Sequence, residues 1–191
     1  MTQRFFAAAV CGILVAGPLP ASAQLMDILT APKTLIDRAI EARSARDIAK
    51  DNEIVVKVNG VMAEHGTVKA STEIYEQRLL VTGIFTDKAT YSKFEAGVRK
   101  VAGIKKLYWH VLHIAEAERD KSVKDGRLLD WTDVLAMDTK AEARLVGTAG
   151  VADVNFRVAA DATGTVYLIG RARSEEEKKK AIRPPSTDPS K

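Results

Sequence analysis

The sequence predicts an α+β protein: two small α-β-β-α-β modules with mixed three-stranded sheets, the second lacking its last strand. Three observations predict it. Apolar residues recur with helical spacing in some segments and in two-residue alternation in others. Two short buried strands end on a glycine and lead into a Thr- or Ser-led helix start, at Gly83 and at Gly170. The stretches Arg78-Leu79-Leu80-Val81-Thr82-Gly83 and Thr165-Val166-Tyr167-Leu168-Ile169-Gly170 lie on each other as copies of one unit, of roughly 60–80 residues, a size that folds alone only marginally.

The elements follow in order. Residues 1–23 read as a secretory signal: a basic lead to Arg4, an apolar run Phe5 to Ala16, breakers Pro18 and Pro20, and small residues Ala21-Ser22-Ala23 at the cleavage point. The run is short of the ~20 residues a bilayer-crossing helix needs, and Ala8-Ala9-Val10 before Cys11 is a poor lipid-attachment motif. Residues 24–50 carry an amphipathic helical pattern in which Leu35 or Ile36, Ala39, Ile40 and Ile48 alternate with charged positions.

Residues 51–114 make the first module. Asp51 or Asn52 is expected to cap a helix with Ile54, Val58, Val61 and Met62 on one stripe. A hairpin follows over 68–76 and 78–82. Thr86 or Asp87 caps a second helix with Phe94, Val98 and Val101 on its buried side, Gly103 stops it, and 104–114 reads as a strand. Residues 115–131 are polar and read as a linker.

The pattern resumes over 132–183. Thr132 or Asp133 starts a helix, 154–158 and 165–170 form strands around a turn at 161–164, and Ser174 opens a helix that begins Glu175-Glu176-Glu177-Lys178-Lys179-Lys180. Residues 184–191, with Pro184, Pro185 and Pro189, read as a disordered tail.

The arrangement resembles the BON domain, a module of bacterial envelope proteins that typically occurs in pairs behind an export signal. The residues that carry the resemblance are Asp51-Asn52-Glu53-Ile54-Val55, Gly164-Thr165-Val166-Tyr167-Leu168-Ile169-Gly170, and the helix-Gly-strand passage Val101-Ala102-Gly103-Ile104-Lys105-Lys106-Leu107. Gly83, Gly103 and Gly170 are the structural glycines this reading singles out. The resemblance implies a periplasmic, non-enzymatic protein, similar to osmotically inducible and outer-membrane-maintenance members, that binds phospholipid at a membrane surface and supports envelope integrity or stress tolerance.

Composition and motifs bound the function. The chain has 191 residues, 29 Lys+Arg against 25 Asp+Glu, and a formal charge of +4, which becomes +3 once Arg4 leaves with the signal. So small an excess argues against a general polyanion binder. One cysteine excludes an intrachain disulfide framework and a multi-cysteine zinc site, and it leaves with the signal. His-Glu-x-x-His, Gly-x-Ser-x-Gly and Gly-x-x-x-x-Gly-Lys patterns are absent, no cofactor is expected, and His110 and His113, three apart in a strand, face opposite ways. Gly147-Thr148-Ala149-Gly150 resembles a KH-type loop but joins a helix to a strand, so no nucleic acid is expected.

The candidate lipid or membrane contacts are Trp131, Lys121, Lys124 and Arg127 at the linker and Lys178, Lys179 and Lys180 near the C-terminus, because cations and amphipathic rings suit anionic head groups. The Glu triplet before Lys178 offers self-pairing as the plainer account. Trp109 is expected in the core. The partner is then anionic phospholipid or the inner face of the outer membrane. The alternative function is a protein-interaction adaptor: an unpaired edge in the second sheet is a template for a strand from another envelope protein or from a second copy.

Overall fold

The computed structural model describes residues 40–65 and 69–183. The signal, its cleavage point, most of residues 24–50 and the tail lie outside the described residues. Within them are five α-helices, α1 (Ala45–Glu64), α2 (Lys88–Arg99), α3 (Glu116–Lys124), α4 (Trp131–Gly147) and α5 (Glu175–Ile182), and five strands, β1 (Ala70–Tyr75), β2 (Arg78–Phe85), β3 (Lys106–His113), β4 (Phe156–Ala160) and β5 (Val166–Gly170). The protein is α+β, with a mixed three-stranded sheet β1-β2-β3 and a two-stranded antiparallel sheet β4-β5.

In the first sheet β1 pairs antiparallel with β2, and β3 pairs parallel with it. Alternation assigns the faces. Ile74, Leu79, Val81 and Phe85 meet Ile54 and Val58 of α1 and Phe94 and Val98 of α2 in one core. Phe94 stacks on Phe85 with centroids 5.2 Å apart and tilts against Trp109 at 5.6 Å. Each such side chain contributes about 2–3 kcal/mol by leaving water. Trp109 is partly buried against this core, and its Nε1 donates to the Tyr91 hydroxyl at 3.2 Å.

The other face of this sheet, with Glu73, Tyr75, Arg78, Leu80, Tyr108 and His110, is covered by the second sheet. The His110 ring stacks on Tyr167 of β5 at 3.9 Å, and Arg78 donates to the Gly170 carbonyl at 3.2 Å. Beyond the second sheet, Leu145 of α4 and Ala181 of α5 pack on Phe156, Val158 and Leu168. A third cluster joins Ile84 to Val134, Ala160 and Ala162, with Leu129, Trp131 and Met137 against it. The order of layers is helices, sheet, sheet, helices.

Several helix starts differ from the expectation. Helix α1 begins six residues before Asp51, where the Ser44 side chain accepts the Asp47 N–H at 3.1 Å. Asp51 is interior to it, 1% exposed, and serves another purpose: its carboxylate accepts the Gln77 N–H at 2.7 Å and the Glu76 N–H at 2.9 Å. Helix α4 is capped by Asp130 rather than by Thr132 or Asp133, with the Asp133 N–H at 2.8 Å. The polar stretch after β3 contains α3, a helix made of i,i+3 and i,i+4 spaced charges rather than an apolar stripe. Asp87 and Ser174 cap α2 and α5 as expected.

The three singled-out glycines each sit where a side chain does not fit. A Cβ on Gly83 would lie 2.9 Å from the Ala70 Cα, and one on Gly170 would lie 2.9 Å from the Phe156 Cα. The two glycines therefore do the same work in the two hairpins. Gly103 has φ +100° and faces Ile54, but α2 ends at Arg99 with Lys100 as its cap, so Gly103 shapes the turn between the helix and β3 rather than stopping the helix.

Candidate functional site

The polar helix α3 and the start of α4 form a groove. Ser122 is buried, and its carbonyl accepts the N–H groups of Arg127 and Leu128, turning the chain back through Gly126 at φ +70°. The Leu129 N–H then donates to the Ala162 carbonyl at 2.8 Å, tying the turn to the second hairpin. Asp130 caps α4, so Trp131 stands at its first position. The result is a cavity of 340 Å³ with an apolar floor of Ile84, Val123, Leu129 and Trp131 and a rim carrying Lys69, Arg119 and Lys124 against Asp120 and Asp130.

The structure thus brings together two of the sequence-selected residues, Trp131 and Lys124. Arg127 turns to Glu118 at 3.1 Å and Asp125 at 3.6 Å, and exposed Lys121 does not line the cavity. On α5, Lys178 reaches Glu175 at 3.6 Å and Lys180 reaches Glu176 at 2.8 Å, as expected for a self-paired helix face, while Lys179 is exposed. None of these α5 lysines lines the Trp131 cavity.

Lys69, Arg119 and Ile84 complete the groove without a sequence motif that points to them. Arg119 stands among the charges of the linker segment, but nothing local brings Lys69 or Ile84 near it. Arg119 is held by Asp120 and, at 3.9 Å, by Glu116. Lys69 and Lys124 are both exposed, so the groove combines an apolar floor with two accessible ammonium groups.

A second cavity, of 310 Å³, lies between β1, β4 and α4, where Glu73 and Glu142 face Arg157 beside Leu145 and Val158. Burial pushes the Glu73 carboxyl up to about 7, against the pull of Arg157 and with added repulsion from Glu142 and Asp138. Asp138 is raised by its own burial, although it accepts the Ala160 N–H. A carboxyl of this kind exchanges its proton near neutrality. Among the described residues no group of three His, Cys, Asp or Glu side chains is placed to hold a metal ion, and no helix is long and apolar enough to cross a membrane.

No protein-family model matches the chain, and no curated protein matches it.

Proposed function

We propose that the chain is an exported, non-enzymatic, BON-like protein of the periplasm that binds anionic phospholipid, or the inner face of the outer membrane, and supports envelope integrity. The observation that carries the reading is the groove at Trp131, where an apolar floor adjoins the Lys69 and Lys124 ammonium groups. An interfacial indole and a head-group cation at adjoining positions suit the boundary of a lipid layer. The paired hairpins and the BON-like segments of the sequence support it.

Co-sedimentation of the mature chain, starting at Gln24, with vesicles of phosphatidylglycerol and phosphatidylcholine tests it. Binding to the anionic vesicles at low salt and none to pure phosphatidylcholine is expected. At about 1 kcal/mol per cation near the surface, Lys124→Glu is expected to lower the bound-to-free ratio at least fivefold, and Trp131→Ala to lower it severalfold. Absence of binding to the anionic vesicles at low salt overturns the reading.

A further inference from the structure

The second hairpin repeats the first residue for residue through its second strand. The same number of residues separates Leu79 from Val166, Val81 from Leu168, Gly83 from Gly170 and the cap Asp87 from the cap Ser174. The hydrogen-bond phase repeats as well. At the ends of the β4-β5 ladder the Arg171 N–H donates to the Asn155 carbonyl and the Asp161 N–H to the Thr165 carbonyl, both at 3.0 Å. Antiparallel pairing alternates bonded and non-bonded residues. It follows that Tyr167 and Ile169 bond to β4, while the backbone groups of Val166, Leu168 and Gly170 point away from it.

In the first sheet the equivalent groups face β3. The Lys105 N–H donates to the Gln77 carbonyl and the Ile114 N–H to the Phe85 carbonyl, which brackets Leu79, Val81 and Gly83 between them on that edge. There β3 sets Leu107 opposite Leu79 and Trp109 opposite Val81, and Leu79 and Val81 are 1% and 0% exposed. Among the described residues no strand takes that place beside β5. Val166 is 45% exposed, and Ile182 at the end of α5 is 60% exposed. A cavity of 280 Å³ lies between β5 and the first sheet, lined by Tyr167, Leu168, Ile169 and Gly170 on one side and by Arg78, Leu80, Tyr108 and His110 on the other.

We infer that the open edge of β5 takes an extended segment of another polypeptide, parallel to β5, in the position β3 holds beside β2. The molecule's own repeat states the chemistry of that segment. It carries large apolar side chains opposite Val166 and Leu168, turned toward α5, and its alternate residues face Tyr108 and His110. Its amides and carbonyls complete the ladder at Val166 and Leu168, while the Gly170 carbonyl is already engaged by Arg78. Residues 184–191 contain Pro184, Pro185 and Pro189, which have no N–H to give to a ladder. Strand addition of this kind draws affinity from main-chain bonds and selectivity from alternate side-chain pockets. The inference is independent of the lipid reading, because it uses a different edge of the molecule.

The probe is a synthetic peptide with the sequence of residues 104–113, added to the full chain, with amide exchange followed by NMR. At saturating peptide the Val166 and Leu168 amides are expected to exchange at least tenfold more slowly, with Tyr167, Ile169, Leu79 and Val81 unchanged. Val166→Lys puts a charge on the edge and is expected to abolish that slowing without moving the thermal midpoint. The same peptide with proline in place of His110, whose N–H lies on the side that faces β2 in the first sheet and would meet the Leu168 carbonyl here, leaves the protein untouched and is expected to have no effect. Four results overturn the inference: slow exchange at Val166 and Leu168 in the free monomer, protection that rises with protein concentration alone as dimers form, no slowing at millimolar peptide, or slowing that the proline peptide reproduces.

Discussion

The Asp51 carboxylate, one strand and one helix away in sequence, fixes the turn at Gln77. It accepts the Gln77 backbone N–H at 2.7 Å and its side-chain Nε2 at 2.9 Å, and it pairs with Arg43 at 3.0 Å. Glu76 and Gln77 have φ of 53° and 62°, the left-handed pair that a two-residue hairpin requires and that Asn-Gly usually supplies. Here the strain is offset by a buried acceptor from the neighbouring helix. Asp51→Ala leaves the two turn amides and Arg43 without it, and is expected to cost about 3 kcal/mol. Urea unfolding of the two chains measures this.

Glu73 makes stability fall with rising pH. Its carboxyl is raised from 4.5 to about 7, so between those values the folded chain holds a proton that the unfolded chain releases. The contribution is complete below pH 4.5 and lost as pH passes 7; ~1.4 kcal/mol per pH unit bounds it at about 3 kcal/mol. Glu73→Gln removes the dependence. Native stability minus variant stability, from urea titrations between pH 4 and 8, is expected to decline over that window and be level outside it.

Asp161 organises the second hairpin turn. It accepts from the Thr163 N–H at 2.8 Å, the Thr163 hydroxyl at 2.6 Å and the Tyr167 hydroxyl at 2.7 Å. Burial pulls its carboxyl upward, but these bonds prevail and hold it below the usual 3.8. Its stabilisation is therefore present above that value and lost as pH falls through the lower, folded one. Asp161→Ala is expected to cost about 2 kcal/mol. Burial, reinforced by Asp161, pushes the Tyr167 phenol up to about 12; in the variant it is expected to fall part of the way toward 10, read from phenolate absorbance.

Gly170 and Gly147 separate a packing requirement from a helix preference. A Cβ at Gly170 meets the Phe156 backbone, whereas one at Gly147 meets nothing within 4 Å. Gly170→Ala is expected to cost about 1–3 kcal/mol, and Gly147→Ala, at the end of α4, to be neutral or to stabilise by up to ~1 kcal/mol. Thermal melts followed by circular dichroism compare the two.

Much of the secondary structure was legible because its signals are local. Asp87 and Ser174 stand where a helix needs an acceptor, and the alternation through β3 marks Trp109 as core and sets His110 and His113 apart. Asp51 marks the limit of such local signals: an aspartate near a helical stripe is the ordinary signature of a cap, but its partners are the amides of Glu76 and Gln77, which no spacing rule connects to it. Trp131 and Lys124 were legible as an indole and a cation in one polar segment. Their companions Lys69 and Ile84 were not, since they belong to the first hairpin and meet α3 and α4 only after the chain has turned back through Leu129.

The sequence by itself determined the order of helices and strands, the glycines that let each hairpin close, and the repetition of one unit in another. Periodicity reports that a face is buried or polar, because it follows from the 3.6- and 2-residue repeats of the backbone. It does not report what covers that face. Only the tertiary structure decided that the second sheet lies on the polar-looking side of the first, with Tyr167 on His110, and that Glu73 is enclosed there with Arg157. It also decided that, among the described residues, no strand lies on the edge of β5 beside Tyr108. Each of these depends on groups brought together across scores of residues, where burial and charge act through distance in space.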